Sequence, residues 1–169
     1  TATSEVTTDI IFLIKESVEQ IEKEKWNGLL QDQNKYLTLP YLKALEVGLS
    51  FFDFRYIEVY NDVKELIGIA YCQIIKITER EINVDALNQK MGGMLPKNIS
   101  RSLDLRMLVC GNAFASGENG FLFVPSVNKE TALNLVSTII NEINLSEKKD
   151  NKKVSLTLIK EFWPESSSL

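Results

Sequence analysis

Histidine is missing from this 169-residue chain. Its absence excludes His-based triads, imidazole metal ligands and imidazole general bases within the chain. Cysteine occurs only at Cys72 and Cys110, too few to build a cysteine zinc site from this chain alone. No apolar run approaches the roughly 20 residues that span a bilayer. The run IIFLI is short and is followed by Lys15 and Glu16. A basic excess is also lacking: 19 Lys and Arg stand against 23 Asp and Glu, for a net charge of −4. Phosphate backbones need a positive surface, so nucleic acid is not expected as the main partner. The lysines at 148, 149, 152 and 153, interrupted by Asp150, read most simply as a solvated loop. No internal repeat and no low-complexity tract appears.

What is present fits a globular domain with a real core: 44% of the residues are hydrophobic and 25% charged. The two cysteines are expected to be free thiols in a reducing, cytoplasmic compartment. The chain opens at Thr1 without Met and closes on PESSSL just after a strand pattern. The expectation is a single domain over residues 1–169, the N-terminal part of a longer protein.

Periodicity supplies the elements. TDIIFLIK reads as a strand. Ser17 and Gln20 form a capping box opening a helix whose Val18, Ile21, Trp26 and Leu29 share a face. A second helix starts at Thr38 with Pro40 in its first turn and stops near Gly48. FRYIEVY and ELIGIAYCQIIKI form a hairpin around Asn61-Asp62. The second of these strands is apolar at both parities, with Ile67, Ile69, Tyr71 and Ile75 on one side and Leu66, Ala70, Cys72 and Ile74 on the other. Such a strand is covered on both faces and central. Val84 to Gln89 reads as a short helix and MGGMLPKN as a loop or lid. DLRMLVCGN is a strand ending in Gly111 and Asn112, and FLFV is a further short strand. The run from Asn128 to Ile143 is a helix, with Ala132, Leu133, Val136, Ile140 and Ile143 at three- and four-residue spacing. KKVSLTLIKEF is the last strand. The pattern predicts a mixed α/β (α+β) fold, a central and mostly antiparallel mixed sheet with helices on both faces. The strands flanking the long helix should run parallel.

This order resembles the GNAT acyltransferase fold, and within it the Fem-like branch of peptidoglycan biosynthesis or recognition. Trp26-Asn27-Gly28-Leu29 followed by Leu39-Pro40-Tyr41-Leu42-Lys43-Ala44-Leu45-Glu46 is similar to that branch's early pattern. Arg106-Met107-Leu108-Val109-Cys110-Gly111-Asn112 with the loop after it is similar to its fourth-strand region. The resemblance implies an N-acyltransferase that moves an acyl group from acyl-CoA or acetyl-CoA to an amine acceptor, without a metal. The donor would wedge between two splayed parallel strands. Backbone amides of Val109, Cys110, Gly111 and Asn112 would hold the thioester carbonyl, and the pyrophosphate would be cradled either by the loop from Ala115 to Gly120, with Ser116 and Gly117, or at Val127 to Glu130 where the helix begins. The family places its phosphate loop directly before the helix, whereas here FLFVPSVN intervenes. The family also continues with a helix and two strands that this chain lacks. The resemblance therefore implies a second role, a non-catalytic half beside a catalytic domain. The sheet edge left open would suit a second domain or a homodimer.

Acyl transfer needs a base for the amine and a proton for the departing thiolate. With histidine absent, Glu118 is the candidate base, and its simpler reading is a solvent-facing loop acid. Tyr71 is the candidate proton donor, and its simpler reading is a buried aromatic of a central strand. Cys110 as a nucleophile lacks an evident base, so a small buried hydrophobe is the simpler reading. Gly111 either admits a ligand close to the backbone or makes a strand-end turn.

Overall fold

The computed structural model describes residues 10–31, 33–77, 105–114 and 120–159. Along the chain these form β1 (Ile11–Lys15), a 3-10 turn (Val18–Gln20), α1 (Lys23–Leu30) and a second 3-10 turn (Lys35–Leu37). Then follow α2 (Leu39–Gly48), β2 (Asp53–Tyr60), β3 (Leu66–Ile77), β4 (Leu105–Cys110), β5 (Phe121–Phe123), α3 (Lys129–Lys149) and β6 (Leu156–Ile159). The six strands form one mixed sheet in the order β1-β2-β3-β4-β6, with β5 also paired to β3. Every pairing is antiparallel except β4 with β6. The expected mixed α/β fold is thus observed, and so is the parallel pair bridged by a helix.

Both faces of the sheet are covered, as the doubly apolar β3 requires. On one face Phe54, Tyr56, Ile69, Tyr71 and Val109 pack against Trp26, Leu30, Leu37 and Leu42 from α1, the second 3-10 turn and α2. On the other, Ile57, Ala70, Ile74 and Leu108 pack against Val136, Ile139, Ile140 and Ile143 of α3. The parity of β3 reverses near its start: Leu66 joins the first face and Ile67 the second, opposite to the simple alternation. The cause is a bulge, where Val59 pairs with Gly68 but Tyr60 with Leu66. One extra residue in a strand turns the preceding side chains over.

The first helix differs from expectation in a second way. The Ser17–Gln20 capping box is present, but it opens only a 3-10 turn. Ile21 is extended and α1 begins two residues later. The buried carboxylate of Glu58 explains the break. It accepts the Glu22 backbone N–H at 3.1 Å, and it also holds Lys15 Nζ at 2.7 Å and the Tyr60 hydroxyl at 3.2 Å. An N–H satisfied by a strand side chain does not call for a continuous helix. Trp26 then ties α1 to the next turn, its Nε1 donating to the Leu37 carbonyl at 2.8 Å.

At the far end, α3 is capped by Asn128, which accepts the Thr131 N–H at 2.8 Å. It runs on through Lys148 and Lys149, beyond the expected end at Ile143, so those two lysines lie in the last helical turn and not in a loop. Cations there complement the carbonyl end of the helix dipole. Glu147 anchors the same turn. Buried against the sheet, its carboxylate bonds Arg55 of β2 and, at 2.7 Å, Arg106 of β4. Arg106 also reaches Asp53 at 3.1 Å.

Removing one member of a buried charge network strands its partners. Glu147→Ala should lower the unfolding free energy by about 3–5 kcal/mol, measured by urea denaturation. A loss under about 1 kcal/mol, typical of exposed pairs, would contradict the role assigned to Glu147.

Candidate functional site

β4 and β5 lie on the same edge of β3 and run in the same direction, because both pair with it antiparallel. They behave as one strand interrupted opposite Tyr71. β4 leaves the sheet at Gly111, whose N–H donates to the Tyr71 carbonyl at 2.9 Å. The chain returns at Gly120, whose carbonyl accepts the Tyr71 N–H at 2.9 Å. The excursion between them is the loop in which the sequence places the candidate site.

Both glycines are needed at this junction. Gly111 has φ 100°, a backbone conformation that side chains resist. A Cβ on Gly120 would lie 2.7 Å from the Gly111 nitrogen. Of the two readings of Gly111, a ligand's approach to the backbone or a strand-end turn, the contact seen here is the close approach of the chain's own Gly120.

The other candidate residues separate. Val109 is buried on the face toward α1 and α2, and Cys110 on the face toward α3. Cys110 sits opposite Cys72 across the β3–β4 ladder, and both thiols are free and buried. The hydrogen bond with Cys110, together with burial, pushes the Cys72 thiol well above the ordinary thiol range. Burial of both side chains fits the simpler reading of Cys110 as a small buried hydrophobe. Asn112 is buried too. Its Nδ2 donates to the Tyr41 hydroxyl of α2 at 2.5 Å, and its Oδ1 accepts the Phe114 N–H at 2.8 Å. Ala113 donates its N–H to Gln73 Oε1 at 2.8 Å. The start of the excursion is thus pinned to α2 and β3. Glu118, Ser116 and Gly117 lie outside the described residues, as do the Val84–Gln89 helix and the Gly92-Gly93 lid.

Tyr71 is fully buried beside Tyr56, its partner across the β2–β3 ladder. Its hydroxyl and Gln73 Nε2 are buried without hydrogen-bond partners among the described residues. Both residues point to the same face of β3 two positions apart. Burial holds the Tyr71 hydroxyl far above the usual phenol range. A phenol held in that way stays protonated and donates its proton reluctantly.

The expected gap between the parallel strands is closed where it matters. Pairing of β4 with β6 continues from Met107–Leu156 to Cys110–Ile159, the carboxyl ends of both. Sequence reading missed Tyr41 and Gln73, which anchor the excursion, and the buried Arg55, Glu58 and Glu147. The available signal was a polar or charged residue inside strands otherwise apolar at both parities.

Among the described residues, no group of His, Cys, Asp or Glu side chains could hold a metal ion, and no helix is long and apolar enough to cross a membrane.

Two substitutions test this geometry. Gly120→Ala should destabilise by about 2 kcal/mol, through overpacking against a backbone that cannot move aside. An unchanged urea midpoint would refute the contact with Gly111. Tyr71→Phe should be neutral or stabilise by up to about 1 kcal/mol, because it removes a buried hydroxyl that has no partner among the described residues. A loss of more than about 1 kcal/mol would mean the hydroxyl has a bonding partner after all. A scan against protein-family models matches none to this chain, and searches of curated proteins and of solved structures return no match.

Proposed function

We propose that this chain is a GNAT-like half that serves as a structural or substrate-binding module beside a second, catalytic domain. The observation that carries this reading is the closed β4–β6 pair. A thioester wedge needs the strand ends to part, and here they remain in register to Cys110 and Ile159. The Gly111 amide, the natural donor to a thioester carbonyl, is already bonded to Tyr71. At the opposite edge, β1 pairs with β2 alone among the described strands, and Ile11, Leu13 and Ile14 on it are exposed. Sheet edges with exposed apolar side chains are where another domain adds. Free Cys72 and Cys110 suit a reducing cytoplasm.

The second reading is the N-acyltransferase itself, taking an acyl group from acyl-CoA to an amine. One observation favours it: among the described residues, the Tyr71 hydroxyl and Gln73 Nε2 are buried on one face of β3 without hydrogen-bond partners.

A thermal-shift titration separates the two. A donor present at a hundredfold its Kd stabilises by about 2.7 kcal/mol, which raises Tm by roughly 5–10 °C for a domain of this size. The module reading expects acetyl-CoA and longer acyl-CoAs to raise Tm no more than inorganic pyrophosphate does at equal concentration. A saturable shift well above that of pyrophosphate, retained when Lys152 and Lys153 are both changed to Gln, would restore the acyltransferase.

A further inference from the structure

The end of β4 away from Gly111 carries a different chemistry. A cavity of about 560 Å³ opens there, at the start of β4 and at the loop from α3 to β6. Lys76 comes to it from β3, Arg106 from β4, and Lys152 and Lys153 from the loop. Among the described residues lining it, none is acidic. Four cations from three separate elements thus converge in a chain whose net charge is −4.

Their surroundings sort them into two layers. Arg106 is buried, and its charge is met by Glu147 and Asp53, with Glu147 shared with Arg55. Its Nε is buried and has no hydrogen-bond partner among the described residues. Asp150 caps α3 nearby. Lys76, Lys152 and Lys153 are exposed and form no ion pair among the described residues. The loop bearing two of them is fixed at both ends. Lys152 donates its N–H to the Glu147 carbonyl at 2.8 Å, Asn151 is left-handed at φ 57°, and Ser155 donates to the Arg106 carbonyl at 2.8 Å. The lysines are therefore presented on a positioned backbone, which reduces the ordering cost of binding.

We propose that this cavity is a binding site for the pyrophosphate or phosphate group of a small polyanionic ligand, with Lys76, Lys152 and Lys153 as its charge contacts and Arg106 as its floor. Clustered ammonium groups act as point-charge partners for phosphate oxygens. The volume admits a ligand of nucleotide size, in the range of ordinary small-molecule pockets. The proposal is independent of the acyl-donor question, because the two places lie at opposite ends of β4, roughly 20 Å apart at strand rise.

The test is a titration of the purified chain with inorganic pyrophosphate at low ionic strength, read by backbone amide NMR shifts and by calorimetry. Saturable binding with the largest shifts at Lys76, Lys152 and Ser155 is expected. Lys152→Gln with Lys153→Gln should weaken it roughly tenfold or more, the scale of losing charged hydrogen bonds. These side chains are exposed, so the variant should keep the parent Tm. Lys148→Gln with Lys149→Gln, on the neighbouring helical turn, serves as the charge-matched control and should leave affinity within about twofold. Failure of pyrophosphate to bind, or an equal loss in both double variants, overturns the site. Much tighter binding of a single-stranded oligonucleotide than of pyrophosphate overturns its assignment to a small ligand. Acetyl-CoA stabilisation that vanishes in Lys152→Gln/Lys153→Gln would belong to this cavity; stabilisation that survives would belong to the Gly111 end.

Discussion

One carboxylate ties the molecule together. Glu147, near the end of α3, bonds Arg55 of β2 and Arg106 of β4. It fixes where the long helix ends over the sheet and hence where the chain turns back into β6. Without that anchor, the apolar stripe of α3 could slide along the Ile57–Ile74–Leu108 face, since hydrophobic contact is not directional. With it, Lys152 and Ser155 meet fixed backbone partners and β6 enters in register beside β4. The two arginines offset one another's burial through a shared acid, and the exposed side of Asp53 completes the balance. Such a network contributes placement more than net stability, because the ions lose hydration on burial.

A second constraint acts at Tyr71. Its backbone N–H and carbonyl bond to Gly120 and Gly111, so one residue of β3 closes both ends of the excursion. The glycines read from the sequence as a ligand cradle are the hinge points of that closure. Gly111 supplies the positive φ, and Gly120 the absence of a Cβ where two backbones touch. The loop that leaves from this junction is held to Gln73 and Tyr41 before it departs. A site built on those amides would have to compete with bonds already made within the chain, each costly to leave unmet when buried.

Periodicity carried most of the architecture. The doubly apolar β3, the amphipathic α3 and the parallel pair around it follow from side-chain spacing, which reports which faces are covered. Periodicity did not carry the local breaks. The bulge opposite Tyr60 depends on a two-for-one pairing that no single strand displays, and it reverses Leu66 and Ile67. The interruption after Ile21 depends on Glu58, more than thirty residues away in sequence. The break in the strand at Gly111 and Gly120 was legible, but not that the polar groups of Gly111, Asn112 and Gly120 are turned to partners on β3 and α2. Local pattern marks where a backbone bends; only the tertiary pairing decides what its amides bond.

The two ends of β4 divide the molecule's polar chemistry. At the Gly111 end the Gly111 and Ala113 N–H groups and the Asn112 amide are bonded within the chain. At the Arg106 end a neutralised inner layer of Arg55, Arg106, Glu147 and Asp53 supports an outer layer of lysines that form no ion pair among the described residues. That layering separates two requirements. The inner pairs hold α3 and the sheet in place and respond strongly to substitution, as buried charges do. The outer lysines are solvated, cost little to fold, and are weakly coupled to stability. A surface arranged in this way can change what it binds without changing how it folds, because the exposed lysines stand apart from the buried pairs that hold α3 to the sheet.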